Sequence, residues 1–240
     1  MRGIFQNRPA AWFLLIPVFA AGLRAQTEAK QIVTEFMGHR VTLFAPAVDK
    51  FSVPQAPAQV CFEGDARCFQ FPRPDPPFPP VGFAPEMTPI QIGKAGPALF
   101  FAATSYAGGS GGTVHLTLLR FGTGNEVDHS LLPDGLTLSM QSEHAFWNDP
   151  VVSGAPVFVT ADYVWGIGEC HACDHRFTIS TYVLRPPIPG FTDDYTYDLA
   201  DQYLTVRKYR ERVLASEKPE ILARLKRVKA EEERRKRAPQ

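Results

Sequence analysis

The sequence lacks an apolar run long enough to cross a membrane as a helix. The apolar stretch Ala10–Leu23 has 14 residues, whereas a spanning helix needs about 20. Arg2 and Arg8 place positive charge before this stretch, as in a secretory signal. We therefore predict a signal peptide at residues 1–25, cleaved after Ala25, and export to the periplasm or the extracellular space. An uncleaved membrane anchor is the alternative interpretation.

Cysteine is scarce, with four residues in a chain of 240. None lies near the predicted cleavage site, so the sequence gives no sign of a lipid anchor. In an exported protein we expect cysteines to form disulfides. Cys61 and Cys68 are close enough in sequence to bridge a hairpin, and Cys170 and Cys173 to bridge a turn. Long-range pairing stays open, because four cysteines allow three connectivities.

Net charge is also absent, since 25 basic side chains balance 25 acidic ones. The chain therefore gives no strong signal for nucleic-acid binding. The balance hides a segregation, because residues 205–240 hold 13 Lys and Arg against 6 Glu. This basic tail has the charge for a weak contact with an anionic surface. The three glutamates Glu231–Glu233 favour instead a solvated helix of mixed charge.

The C-terminal segment, residues 213–240, is predicted to be a charged helix or tail. Ser216 is a typical N-cap residue, and Pro219 is tolerated in a first helical turn. Beyond it, apolar residues at helical spacing share one side: Ile221, Leu222, Leu225 and Val228. No apolar stripe follows Val228, so we expect the rest of the helix to be solvated.

Proline is concentrated in one segment, with eight of the 22 prolines between Phe71 and Pro89. Such a segment cannot form a helix or a central strand. We therefore predict an extended proline-rich strap at residues 71–89. It would separate residues 26–70, with short strands and a cysteine loop, from a β-rich core domain at residues 90–212.

A strand–loop–strand unit recurs in the predicted core at a spacing of about 60 residues. Residues 97–104 lead through a glycine-rich loop to residues 113–120, and residues 156–163 lead to residues 177–185. Each unit is an apolar strand, a loop and a β-branched return strand, as in a hairpin, and two units are too few to close a propeller. We predict a mainly β fold, an antiparallel sheet or sandwich built from repeated hairpins, with a C-terminal α-helix.

The densest group of metal or redox ligands is Glu-Cys-His-Ala-Cys-Asp-His at residues 169–175. Thiolates and imidazoles are ligands that suit zinc. In an extended chain every second residue lies on one side. This alternation groups four candidate metal ligands, with zinc as the candidate cofactor: Glu169, His171, Cys173 and His175.

Other chemistries fit residues 169–175 less well. Covalent haem needs a histidine directly after the second cysteine, where this chain has Asp174. A redox dithiol is activated at a helix N-terminus, but the flanking residues are predicted to be strands. A turn closed by a Cys170–Cys173 disulfide, without any chemistry, is the favoured alternative to a metal site.

The glycine-rich loop Gly108–Gly112 matches the hydrolase pattern G-x-S-x-G. That pattern needs a strand, a sharp turn and then a helix, whereas residues 113–120 are predicted to be a strand. The histidines available for a triad would be His115, His129 and His144. We assign no catalytic residue and no cofactor-binding residue on this pattern.

Three segments carry a family resemblance. The pattern E-x-H-x-x-x-H-R-F-x-I-x-x-Y runs from Glu169 to Tyr182 and is followed by residues 203–209 and 217–221. Together they resemble a group of exported bacterial β-rich proteins to which no activity is attached. The resemblance covers the C-terminal third of the chain and implies export and a bacterial origin. Any site would then rest on Glu169, His171 and His175.

Two function hypotheses follow. The first is an exported, non-enzymatic β-rich protein that acts by surface binding or as an envelope component. The second is a metal-binding module or metal-dependent enzyme that uses residues 169–175. The sequence names no ligand, substrate or partner for either hypothesis.

Overall fold

The structure of the chain, a computed structural model, describes residues 30–64, 68–70, 80–93, 96–106, 111–121, 127–133, 135–148, 156–164, 174–184, 191–198, 203–204 and 212–237. The elements in this part of the chain are β1 (Gln31–Phe36), β2 (His39–Phe44), β3 (Gln59–Phe62), β4 (Cys68–Gln70), β5 (Val81–Gln91), β6 (Pro97–Tyr106), β7 (Gly112–Phe121), β8 (Val127–Ser130), β9 (Thr137–Ser139), β10 (Glu143–Asn148), β11 (Pro156–Val164), β12 (Asp174–Leu184), β13 (Phe191–Asp198), β14 (Tyr203–Leu204) and α1 (Val213–Arg237). The predicted class, mainly β with a C-terminal helix, is confirmed.

The strands form three antiparallel sheets in which neighbours in the chain pair with one another. Sheet 1 has the order β1-β2-β3-β4. Sheet 2 has the order β5-β6-β7-β8, and β9 pairs with β7. Sheet 3 has the order β10-β11-β12-β13, and β14 pairs with β12. Sheets 2 and 3 therefore share one topology, including a short fifth strand paired with the start of the third.

The repeated hairpins predicted from the sequence are the centres of these two sheets. β6 pairs with β7, and β11 pairs with β12, each in antiparallel register. The repeat extends to the way the sheets stack. Leu99 and Phe158 are each the third residue of their strand, and each packs toward the preceding sheet. The three sheets pack in chain order, sheet 1 against sheet 2 and sheet 2 against sheet 3.

Three apolar clusters hold these layers together. The first joins sheets 1 and 2 through Phe62, Phe101 and their neighbours. The second joins sheets 2 and 3 through Phe100 and Phe158. The third joins sheet 3 to helix α1 through Phe177 and other buried side chains. Each fully buried Leu, Ile or Phe stabilises the fold by about 1.5–3 kcal/mol relative to the same side chain in water. Sheets 2 and 3 are apolar on both faces, so each is stabilised by packing against a layer on either side.

Part of the proline-rich segment is an edge strand. β5 carries Pro85 and Pro89 and pairs with β6 on one side only. Pro85 falls in a register shift between Phe83 and Glu86, where Ala84 has a φ of 44°. An edge strand tolerates proline because the missing N–H faces outward or lies in a bulge. Residues 81–89 of the predicted strap thus belong to sheet 2, and residues 71–79 lie outside the described residues.

Helix α1 is capped by a side chain from sheet 3. The Glu143 carboxylate accepts hydrogen bonds from the backbone N–H groups of Val213, at 2.9 Å, and Leu214, at 3.1 Å. The prediction that Ser216 caps the helix is wrong, because α1 begins at Val213. The Ser216 hydroxyl lies in the first turn and donates to the Val213 carbonyl at 3.0 Å. Pro219 consequently lies one turn deeper than predicted.

The two halves of helix α1 differ in their surroundings. The predicted apolar residues Ile221 and Leu225 are buried against sheet 3. The last turns are largely exposed and carry ion pairs one helical turn apart, such as Arg235 with Glu231. Among the described residues, no helix is both long and apolar enough to span a membrane.

The predicted Cys61–Cys68 disulfide is confirmed. The two cysteines are directly opposed on β3 and β4, with their α-carbons 4.3 Å apart. Gly64, with a φ of 83°, helps the chain reverse between these strands. The proposed Cys170–Cys173 pair lies outside the described residues and stays a prediction.

Replacing Glu143 with Ala should destabilise the protein, because the first two N–H groups of α1 then lose their acceptor. We expect the free energy of unfolding to fall by about 1–3 kcal/mol, measured by urea denaturation. Glu63→Ala, at an exposed turn residue, is the control and should change it by less than about 0.5 kcal/mol. Equal stability of the Glu143 variant and the wild type would contradict the capping role.

Removing the bridge between β3 and β4 should destabilise sheet 1. We expect the Cys61→Ser, Cys68→Ser double variant to lose about 2.5 kcal/mol of unfolding free energy, because an eight-residue ring no longer restricts the unfolded chain. Urea denaturation without reductant measures this loss. An unchanged denaturation midpoint would mean that the bridge contributes nothing to stability.

Candidate functional site

A groove lies between β5, the edge strand of sheet 2, and β10, the edge strand of sheet 3. Its volume is about 360 Å³, within the range of small-molecule sites in proteins. Its walls come from β5, β6, β10 and the residue that precedes α1. The lining residues are Glu86, Thr88, Ile90, Phe100, Ser142, Glu143, His144, Ala145, Phe146 and Arg212.

The two strands contribute to the groove in different ways. From β5 come Glu86, Thr88 and Ile90, which alternate and therefore share the face toward sheet 3. From β10 and the turn before it come the five consecutive residues 142–146. Since consecutive strand residues point to opposite faces, a groove that touches all of them runs along the strand edge. The backbone of β10 is thus part of the wall.

A carboxylate and an imidazole meet inside the groove. Glu86 Oε1 and His144 Nε2 are in hydrogen-bond contact across the two sheets. The Glu86 side chain is 47% exposed and that of His144 is 20% exposed, so the pair faces solvent. The imidazole ring lies against Phe100, with ring centres 5.2 Å apart. The aromatic packing fixes the plane of the ring, and the carboxylate fixes one of its nitrogens.

An arginine lies at one end of the groove. Arg212 directly precedes α1, so it lies beside Glu143 at the start of β10. Both Glu143 oxygens accept hydrogen bonds from the N-terminus of α1, whose partial positive charge offsets that carboxylate. Within the part of the chain that the structure describes, no side chain pairs with the Arg212 guanidinium. The groove therefore offers one uncommitted positive charge at this end.

The predicted metal cluster is only partly described. Glu169, His171 and Cys173 lie outside the described residues, as does Cys170. His175 is fully buried on β12, on the same face as Phe177 and Ile179. No three His, Cys, Asp or Glu side chains among the described residues are grouped to hold a metal ion. A zinc site at residues 169–175 stays a prediction.

The histidines considered for a hydrolase triad have separate surroundings. Ser110 and the His129 side chain are outside the described residues. His115 lies on β7 with its Nε2 3.0 Å from the Ser105 hydroxyl of β6, and burial lowers the pKa of His115. It faces away from sheet 3, whereas His144 lies between sheets 2 and 3. These two histidines therefore belong to different parts of the molecule.

No local pattern in the sequence indicates the groove. Glu86 and His144 are 58 positions apart, and Arg212 lies in a third segment. None of them belongs to a motif, because the contact depends on which strand lies at the edge of each sheet. By sequence, His144 is a candidate only for a hydrolase triad. Comparison of the chain with protein-family models, curated proteins and solved structures finds no match.

The stability of the protein should depend on pH through His115. Because burial lowers the pKa of His115 in the folded state, the unfolded chain binds the proton more tightly. Stability should be complete above the usual histidine pKa of about 6.5 and decline as the pH falls through the lowered folded pKa. Urea denaturation over this range should show a shallower decline in His115→Gln. Parallel curves for the two proteins would contradict this assignment.

Proposed function

We propose that this is an exported binding protein and that the groove between β5 and β10 is its binding site. Export is inferred from the predicted signal at residues 1–25 and is compatible with the Cys61–Cys68 disulfide, since such bridges persist in oxidising compartments. Binding rather than catalysis is inferred from the groove itself, which combines aromatic walls with a few polar groups.

The observation that carries the proposal is the combination of Arg212 with the aromatic wall of the groove. Phe100 and Phe146 pack edge to face with ring centres 5.2 Å apart, and both line the groove. Arg212 supplies a planar guanidinium with five donors. A ligand with an apolar portion and a carboxylate would satisfy both features.

The charges in the groove favour an anion at the Arg212 end. Glu143 is the acidic residue of the wall beside Arg212, but both of its carboxylate oxygens already accept hydrogen bonds from the N-terminus of α1. The other acidic residue of the wall, Glu86, is in contact with His144. Both carboxylates are thus engaged by positive or donor groups, whereas Arg212 is exposed.

Hydrocinnamate, a phenyl ring joined to a carboxylate, is a simple test ligand. We expect it to shift the NMR signals of His144 and Phe146, and to bind at least about tenfold more weakly to Arg212→Gln, since a charge-assisted hydrogen bond contributes about 1.5–3 kcal/mol. The neutral analogue hydrocinnamide should bind the wild type more weakly than hydrocinnamate does, by the same factor.

Arg234→Gln provides the matched control. This substitution removes the same charge from the exposed last turn of α1, away from the groove, and should leave hydrocinnamate binding unchanged. If the two substitutions weakened hydrocinnamate binding equally, the loss would come from the change in net charge, and a site at Arg212 would be contradicted. Unaltered binding to Arg212→Gln would also contradict the proposal.

A further inference from the structure

We propose that the ligand of the groove is the carboxyl-terminal end of an extended peptide, which adds to the free edge of β10 as an antiparallel strand. This inference rests on the proposed function and specifies its ligand. Three observations support it: the exposed edge of β10, the strip of β5 that sheet 3 leaves uncovered, and the position of Arg212.

Among the described residues, the edge of β10 lacks the protection that sheet edges usually have. β10 is the first strand in the order of sheet 3, and no described strand pairs with its outer side. Proteins commonly protect such edges with lysine, proline or bulges. β5 has this protection, with Pro85, Pro89 and two register shifts. β10 has neither proline nor lysine, and its pairing with β11 runs without a shift.

The strip of β5 opposite this edge matches an added strand. Glu86, Thr88 and Ile90 follow one another at every second position, a repeat of about 7 Å along a strand. An extended peptide presents its own alternate side chains at the same repeat. Thr88 is exposed and Ile90 is only partly covered by the cluster between sheets 2 and 3. A strand added to β10 would widen sheet 3 and cover both.

The position of Arg212 sets the direction of the peptide. Arg212 lies beside Glu143, the first residue of β10. A strand that runs antiparallel to β10 ends next to the start of β10. Its terminal carboxylate would therefore lie near the Arg212 guanidinium, where the two can form a bidentate pair. A parallel strand would place its positively charged N-terminus there instead. The charge favours the antiparallel direction.

The ligand class can be tested with a hexapeptide library that has alternating apolar residues and free carboxyl ends. The mature protein is immobilised, and retained peptides are identified by mass spectrometry. We expect peptides to be retained by the wild type and by Arg234→Gln, but not by Arg212→Gln. The most enriched peptide is then synthesised in four forms: unmodified, amidated at its C-terminus, and N-methylated at alternate backbone amides in each of the two phases.

Strand addition makes a distinct prediction for these forms. Amidation should weaken binding about tenfold, through loss of the charged pair with Arg212. N-methylation in one phase should weaken it by at least about tenfold, because those N–H groups face β10. N-methylation in the other phase should have little effect, because those N–H groups point away. Equal effects of the two phases would overturn strand addition.

The outcomes separate this inference from the proposed function. Binding that depends on Arg212 but not on the N-methylation phase would overturn strand addition and leave the groove as a binding site. Hydrocinnamate binding without any retained peptide would do the same. Failure of both hydrocinnamate and the library to bind would overturn both proposals. A second copy of the chain is the other occupant to test, by sedimentation of the free protein. If the wild type is a dimer, Ala145→Pro makes it a monomer, and no peptide is retained, the peptide proposal is also overturned.

Discussion

The packing of sheet 2 against sheet 3 is the interaction on which the rest of the structure depends. Phe100 and Phe158 lie at its centre, and their rings approach to 6.0 Å between centres. Each sheet buries a second face as well, sheet 2 against sheet 1 and sheet 3 against helix α1. Sheet 1 has a surface to pack on only when sheet 2 forms, and α1 only when sheet 3 forms. The groove follows from this stack, because its walls come from both sheets.

The groove arises because the edge of sheet 2 at β5 and the edge of sheet 3 at β10 are offset from each other. The edge strand β5 presents Glu86, Thr88 and Ile90 toward sheet 3, and these residues remain beside β10 rather than beneath it. The contact of Glu86 with His144 ties the two edges together across this step. The Glu143 side chain anchors the start of α1 at the same place, which brings Arg212 to the end of the groove. The proposed binding site thus lies where sheet 2, sheet 3 and the start of α1 meet, and its proposed ligand would add a strand to sheet 3.

Much of the fold could be predicted from the sequence because its signals are local. The apolar runs at residues 97–104 and 156–163 are properties of each segment alone, and both hairpins form. Cys61 and Cys68 are separated by a short turn, so their pairing needs no distant contact. Helix α1 lies within the predicted residues 213–240, but its cap is not the predicted one. Ser216 has the chemistry of a cap, whereas the actual cap, Glu143, comes from a strand 70 residues earlier, and no local rule reveals such a partner.

The sequence by itself determined the mainly β class, the repeated hairpins and the charged C-terminal helix, and it placed Cys61 and Cys68 close enough in the chain to pair. Each of these depends on side-chain periodicity, backbone restriction or short loop closure, which act between residues close in the chain. Only the tertiary structure decided that β5 and β10 lie at sheet edges and that Glu86, His144 and Arg212 share a groove. The order of strands and the alignment of stacked sheets depend on how distant apolar faces fit together, and that fit leaves no pattern in any one segment.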